Sequence, residues 1–157
     1  PCEGSLRMDD IDREIIAQLT KDGRASFRAV GAAVGLSASA TKRRVDRLVG
    51  DGVIEGFTAQ VDPHVLGWTT DVFVSIFASG NIPPERIRTA ISRVPEVHAA
   101  YTVTGDADAL LHVRVRDTRH LEEVLEAIRR EPFVAQTRSL VVLSRLLERG
   151  VAVAELP

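Results

Sequence analysis

Three short helical patterns follow one another between residues 9 and 50, separated only by tight turns, and this spacing leaves the N-terminal third few ways to fold. Asp9 can cap the first pattern, which carries Ile11, Ile15, Ile16 and Leu19 on one face and stops at Asp22-Gly23. Ser26 opens the second, whose apolar residues Phe27, Val30 and Val34 keep helical spacing. Gly35 ends it, because the turn between two close helices needs a backbone angle φ above zero. Ser37 caps the third pattern at once, and Gly50 and Gly52 mark its end. A compact tri-helical unit is predicted.

On a helical wheel, Thr41, Val45, Leu48 and Val49 share one arc of about 100° that must face the core of this unit. The opposite arc presents Ser39, Ala40, Arg43, Asp46 and Arg47, with Lys42 and Arg44 flanking and Ser37 at the helix start. Taken alone, the run KRRVDR reads as a solvated helix face. Its position on the third helix, directly after a Gly-Leu-Ser turn, makes it the recognition helix of a helix-turn-helix, the element that enters the DNA major groove. Small residues at the start let such a helix sit deep, and arginine pairs with guanine or clamps phosphate. Ser37, Ser39, Ala40, Lys42, Arg43, Arg44 and Arg47 are therefore the candidate DNA contacts.

The segment 53–62, VIEGFTAQVD, changes to β-branched, alternating character and predicts a strand closed by Asp62-Pro63. Beyond it the pattern predicts strand 71–79, helix 84–93, strand 97–104, a tight turn, strand 109–116, helix 118–130 and strand 134–143. The order β-α-β-β-α-β is that of a ferredoxin-like α+β fold, a four-stranded antiparallel sheet with both helices on one face. The domains expected are a winged helix-turn-helix over 6–58, a strand and hinge over 59–69, a ferredoxin-like domain over 70–147 and a tail over 148–157. The uncovered sheet face should carry Phe73 and Phe77 with Ala100, Leu110 or Val141 according to register. That is too apolar for water, so a homodimer packed sheet on sheet is expected.

Composition narrows the function classes. Aromatic residues are 4% of the chain, so both cores must be aliphatic. Cys2 is the only cysteine and has no internal partner, which excludes a disulfide framework and a cysteine metal site. The formal net charge of −2 argues against coating nucleic acid by bulk electrostatics, so DNA binding must be local. No apolar run approaches the ~20 residues of a membrane span and the first residues lack a secretory pattern, so a soluble, cytoplasmic and nucleoid-associated protein is expected. His64, His98, His112 and His120 have no metal-binding spacing, and no nucleophile elbow, phosphate loop or dinucleotide fingerprint occurs. Neither an enzyme nor a cofactor is expected.

The segments MDDIDREIIAQL, DGRASFRAVGAAVGLSASATKRRVDRL, DGVIEGFTAQVDP, VTGDAD and QTRSLVVL, in that order, resemble the Lrp/AsnC (leucine-responsive and asparagine-type) family of transcriptional regulators over nearly the whole chain. The resemblance implies dimers that assemble to octamers, an amino acid as effector, and a ligand held at the Thr104–Asp108 turn where dimers meet. Read without it, Gly105-Asp106 is an ordinary hairpin turn with two solvated carboxylates. Extended geometry would aim Asp106 and Asp108 the same way, toward an ammonium, while Gly105 exposes backbone N–H to a carboxylate. Thr104, Gly105, Asp106, Asp108, Thr137 and Ser139 are the candidate ligand contacts, joined by Tyr101, which plain core or interface packing would equally explain. Where many members of the family carry an aromatic residue between the two aspartates, this chain has Ala107, which implies a roomier pocket. Two alternatives stay open: a siroheme decarboxylase-like enzyme, which has the same two-domain layout and would use His112 and Arg114, and a helix-turn-helix module that binds only protein.

Overall fold

The computed structural model describes residues 8–147; Cys2 and the tail over 148–157 lie outside the described residues. The chain divides into two compact units between Gln60 and Val61.

The first unit holds α1 (Asp10–Lys21), α2 (Phe27–Val34) and α3 (Ala38–Gly50). Each starts at a side-chain cap that satisfies a free backbone N–H. Asp9 and Asp12 form a reciprocal capping box on α1, Ser26 Oγ accepts from Ala29 N–H on α2, and Ser37 Oγ accepts from Ala40 N–H on α3. Ile15, Val30, Val45 and Leu48 close the core at 3% exposure or less. Gly31 lets α2 and the turn into α3 touch: a Cβ there would lie 2.6 Å from Leu36 O and 2.7 Å from Thr41 Oγ1. Two expectations need correction. Val49, assigned to the core arc, is 43% exposed, because the core closes on Thr41, Val45 and Leu48 alone. The winged strand predicted over 53–62 is not formed. Val53 and Ile54 instead send both N–H groups to Leu48 O and pack on the helical core, so their apolar pattern terminates α3 rather than building a ladder.

The second unit begins with a single 3-10 turn, Pro63–Leu66, and continues as β1 (Thr70–Ala78), α4 (Pro84–Ile91), β2 (Val97–Thr102), β3 (Ala109–Val115), α5 (Thr118–Arg129) and β4 (Val134–Val141). The strands form one antiparallel sheet in the order β2-β3-β1-β4. Val72, Val74 and Ile76 of β1 and Leu111, Val113 and Val115 of β3 are fully buried beneath Ile87, Leu121, Val124 and Ile128 of the two helices. Each such side chain contributes about 1.5–3 kcal/mol by leaving water.

The register sorts the residues expected on the other face. Phe73 pairs with His112 and Leu140, and Ser75 with Leu110, which puts Leu110 on the open side with Phe73 and Phe77. Ala100 pairs with Leu111 and Val141 with Val72, so both belong to the helix-covered side. Leu140, which the pattern did not single out, joins the open face at 61% exposure.

Candidate nucleic-acid interface and effector site

The exposed side of α3 begins at its cap. Ser37 Oγ serves the backbone and lies 3.1 Å from Ser39 Oγ. Ser39, Lys42, Arg43 and Asp46 are exposed and Ala40 is half-buried. Lys42 Nζ lies 2.5 Å from Asp46 Oδ2, one helical turn on, a solvent-open pair that a phosphate can displace. Arg43 forms no ion pair among the described residues and stands free on the helix face.

The other two arginines, Arg44 half-buried and Arg47 exposed, are paired within the unit. Asp12 is wholly buried, and a buried carboxylate persists only when it is paired and hydrogen-bonded. Arg44 Nη1 lies 2.8 Å from both Asp9 Oδ2 and Asp12 Oδ1, and Arg47 Nη2 lies 2.5 Å from Asp12 Oδ2. The hydrogen bond from Arg44, reinforced by the Asp12 backbone N–H, holds the Asp9 carboxyl below its ordinary range. Its hydrogen bonds to the Asp9 and Asp12 carboxylates raise Arg44 further above its usual value. Arg44 and Arg47, both candidate DNA contacts, also brace α3 against α1 through Asp12. Sequence reasoning missed Asp12. Its signal was the Asp9-x-x-Asp12 spacing, an acidic residue at the third helical position behind an acidic cap.

In the second unit, the loop 103–108 joins β2 to β3, with Gly105 at φ 122, a conformation that L side chains rarely adopt. Thr104, Gly105 and Asp106 are exposed. Asp108 is engaged: its Oδ2 accepts from Ala78 N–H at 2.7 Å and its own N–H donates to Ile76 O at 2.9 Å. The two aspartates therefore do not form a matched pair of free carboxylates, because the ladder has taken one oxygen of Asp108. Thr137 and Ser139 lie on edge strand β4, opposite Ile76 and Val74, and Thr137 Oγ1 accepts from Arg129 Nε. Tyr101 lies on the other edge strand, β2, opposite Leu110, on the open face and 57% exposed. Three strand spacings of about 4.8 Å separate these edges, so one protomer does not gather all seven residues into one site.

A charged cluster occupies the open sheet face instead. Asp71 Oδ1 lies 2.7 Å from His112 Nε2 and 3.0 Å from Arg114 Nε, while Arg145 Nη2 lies 3.0 Å from Asp71 Oδ2. Burial alone would raise the Asp71 carboxyl, but hydrogen bonds from His112 and Arg114 outweigh it and leave Asp71 below the ordinary range. The His112 ring stacks on Phe73 at 4.9 Å, and His98 meets its edge at 5.4 Å. His112 and Arg114, the residues named for the enzyme alternative, are thus both tied to Asp71. Among the described residues, no group of three or more His, Cys, Asp or Glu is placed to hold a metal ion. No helix among them is long and apolar enough to cross a membrane.

Comparison with known proteins adds two family matches, an AsnC-type helix-turn-helix domain over residues 8–49 and an Lrp/AsnC ligand binding domain over residues 71–152. The chain is 50% identical to an HTH-type transcriptional regulator of Mycobacterium tuberculosis, across 91% of this chain and 97% of that protein. It is 38% identical to the leucine-responsive regulatory protein of Escherichia coli, across 88% and 87%. Among solved structures, the feast or famine regulatory protein of M. tuberculosis complexed with L-methionine superposes with a TM-score of 0.83 at 35% identity, covering 90% of this chain and 95% of that one.

Proposed function

This chain belongs to the Lrp/AsnC family, and we propose that it is a sequence-specific DNA-binding transcriptional regulator whose assembly or DNA affinity responds to an amino acid. The observation that carries this reading is α3, a capped helix with Ser39, Lys42 and Arg43 exposed on one side and with Arg44 and Arg47 fixing its other flank to buried Asp12. Arg43 reads a base edge and Lys42 holds phosphate, exchanging Asp46 for it. Arg44 and Arg47 set the angle at which the helix is presented.

The effector reading rests on Thr104, Gly105 and Asp106, which offer backbone N–H and carboxylate groups to a zwitterion, with Tyr101 on the strand that leads into the loop and Thr137 or Ser139 reaching it from another protomer. The open sheet face pairs two chains, and dimers join further into an octamer through the loops. The protein works in the cytoplasm on nucleoid DNA, without a cofactor and without catalysis.

Binding isotherms on DNA recovered from the source genome test the reading. Arg43→Ala costs about 1–3 kcal/mol at a specific site, and Lys42→Ala lowers the salt dependence by about one phosphate contact. Affinity that ignores salt and Arg43 alike would make the module a protein binder. Calorimetry with the protein amino acids tests the effector, and Ala107 favours larger side chains; binding of glycine or alanine alone refutes that preference. A Soret shift on adding haem would move the chain to the decarboxylase alternative.

A further inference from the structure

Ser39, Lys42, Arg43 and Asp46 of α3 are all exposed, and the last three lie three, four and seven residues beyond the first. That spacing makes one stripe down a helix, opposite buried Thr41, Val45 and Leu48. It is also the spacing with which a recognition helix presents side chains to base edges. Hydroxyl, ammonium and guanidinium groups all suit a polyanion. The carboxylate of Asp46 does not: near the middle of the stripe it repels the phosphate backbone, so a helix that only had to hold DNA would bind better without it.

The fold makes little use of Asp46. Lys42 Nζ lies 2.5 Å from its Oδ2, with the two side chains 59% and 57% exposed. A solvent-open pair of this kind adds little to a helix, and least with the cation on the N-terminal side, as here. Beyond Asp46 the stripe ends at Gly50, where an added Cβ would meet nothing within 4 Å.

What a carboxylate can do in a major groove decides its use. It only accepts hydrogen bonds. Guanine and thymine present acceptors there, while adenine and cytosine each present an amino group. Adenine sets its N7 acceptor beside that amino group, which leaves cytosine as the base with a donor and no acceptor of its own next to it. Arg43 stands three residues before Asp46, about 4.5 Å along the helix axis, and stacked base pairs follow one another at about 3.4 Å. Side chains at these two positions therefore reach neighbouring base pairs.

On the reading of α3 as a recognition helix, we propose that Asp46 is a specificity-determining residue, accepting from cytosine N4 in the base pair beside the guanine that Arg43 reads. Lys42 holds the carboxylate in the free protein. On DNA the lysine turns to phosphate and releases Asp46 to the groove, where guanine or thymine would meet it acceptor to acceptor.

Duplexes bound by the full chain are selected from a randomised pool, and isotherms are then measured on the recovered site with each base at each position. Cytosine should be preferred by about tenfold at one position of each half-site. Asp46→Ala should level that position, keep the neighbouring guanine preference and bind random duplex about threefold tighter, since a negative charge has left the face. Asp46→Asn should turn the preference to adenine, whose N6 and N7 an amide contacts together. Lys42→Ala should keep the cytosine and lose salt dependence. A merely structural Asp46 would move none of these base rankings. The inference is overturned if Asp46→Ala keeps the wild-type ranking or weakens binding to random duplex, or if Asp46→Asn still selects cytosine. A sequence preference that depends on Arg43 and not on Asp46 sinks this inference alone, whereas no sequence preference in the wild-type chain sinks the regulator reading with it.

Discussion

Each unit gathers cations around one aspartate, and the two aspartates differ in what surrounds them. Asp12 is wholly buried and holds Arg44 and Arg47. Asp71 keeps a quarter of its side chain in contact with solvent and holds His112, Arg114 and Arg145. The first is closed off from water, so taking its arginines away leaves a buried carboxyl without its side-chain partners. The second lies on a sheet face with Phe73, Phe77 and Leu140 beside it, and its ion pairs reach full strength only when that face is covered and the local dielectric falls. One network lies in a core and the other on the face proposed to pair two chains.

The sharpest way to break this contrast is Asp12→Ala. Removing a fully buried partner strands two guanidinium groups and should cost about 3 kcal/mol, near the low end for buried pairs because both arginines can swing to solvent. Far-UV circular dichroism would register the loss of the helices, whereas Trp68 emission reports only the sheet unit; equal shifts in both would merge the two networks. Gly31→Ala comes next, at about 2 kcal/mol, because its Cβ meets backbone at Leu36 and the turn must move. Urea titration followed at 222 nm (a helical wavelength) measures it.

Asp71→Asn should cost about 1.5 kcal/mol in the isolated protomer and more in the assembled one, so sedimentation beside denaturation separates the two contributions. The same residue fixes a pH dependence. The Asp71 carboxyl is lower in the folded chain than in the unfolded one, so its contribution is complete above the ordinary carboxylate range and fades as pH falls through the folded value. Asp9 behaves alike in the helical unit. Acid titration monitored by Trp68 should therefore lose its slope below about pH 4 in Asp71→Asn and keep it in Asp9→Asn. Ser37→Ala is the smallest change, about 1 kcal/mol from a lost helix cap, visible only in the helical unit.

The elements were legible because their signals are local. Caps at Asp9, Ser26, Ser37 and Asp117 and the alternation along β1 and β3 each depend on neighbours in sequence. The strand expected over 53–62 failed for the opposite reason. Alternation says that a segment has two faces, but a strand also needs a partner edge, and Val53 and Ile54 found Leu48 O instead. The candidate sites show the same limit. A helical wheel places Arg44 and Arg47 on a surface, yet it cannot show that both reach Asp12, more than thirty residues earlier. Spacing aligned Asp106 with Asp108, but the fate of Asp108 was decided by Ala78 on another strand. The meeting of His112 and Arg114 with Asp71 arises from the pairing of β1 with β3, and no window of sequence contains it.

The bond from Ala78 N–H to Asp108 has a mechanical meaning. It buttons the loop that follows β2 to the last amide of the central strand, whose other end carries Asp71. A molecule that draws the Asp108 carboxylate toward itself must unfasten that amide, and slack introduced there travels along one continuous backbone to the ion pairs of Asp71.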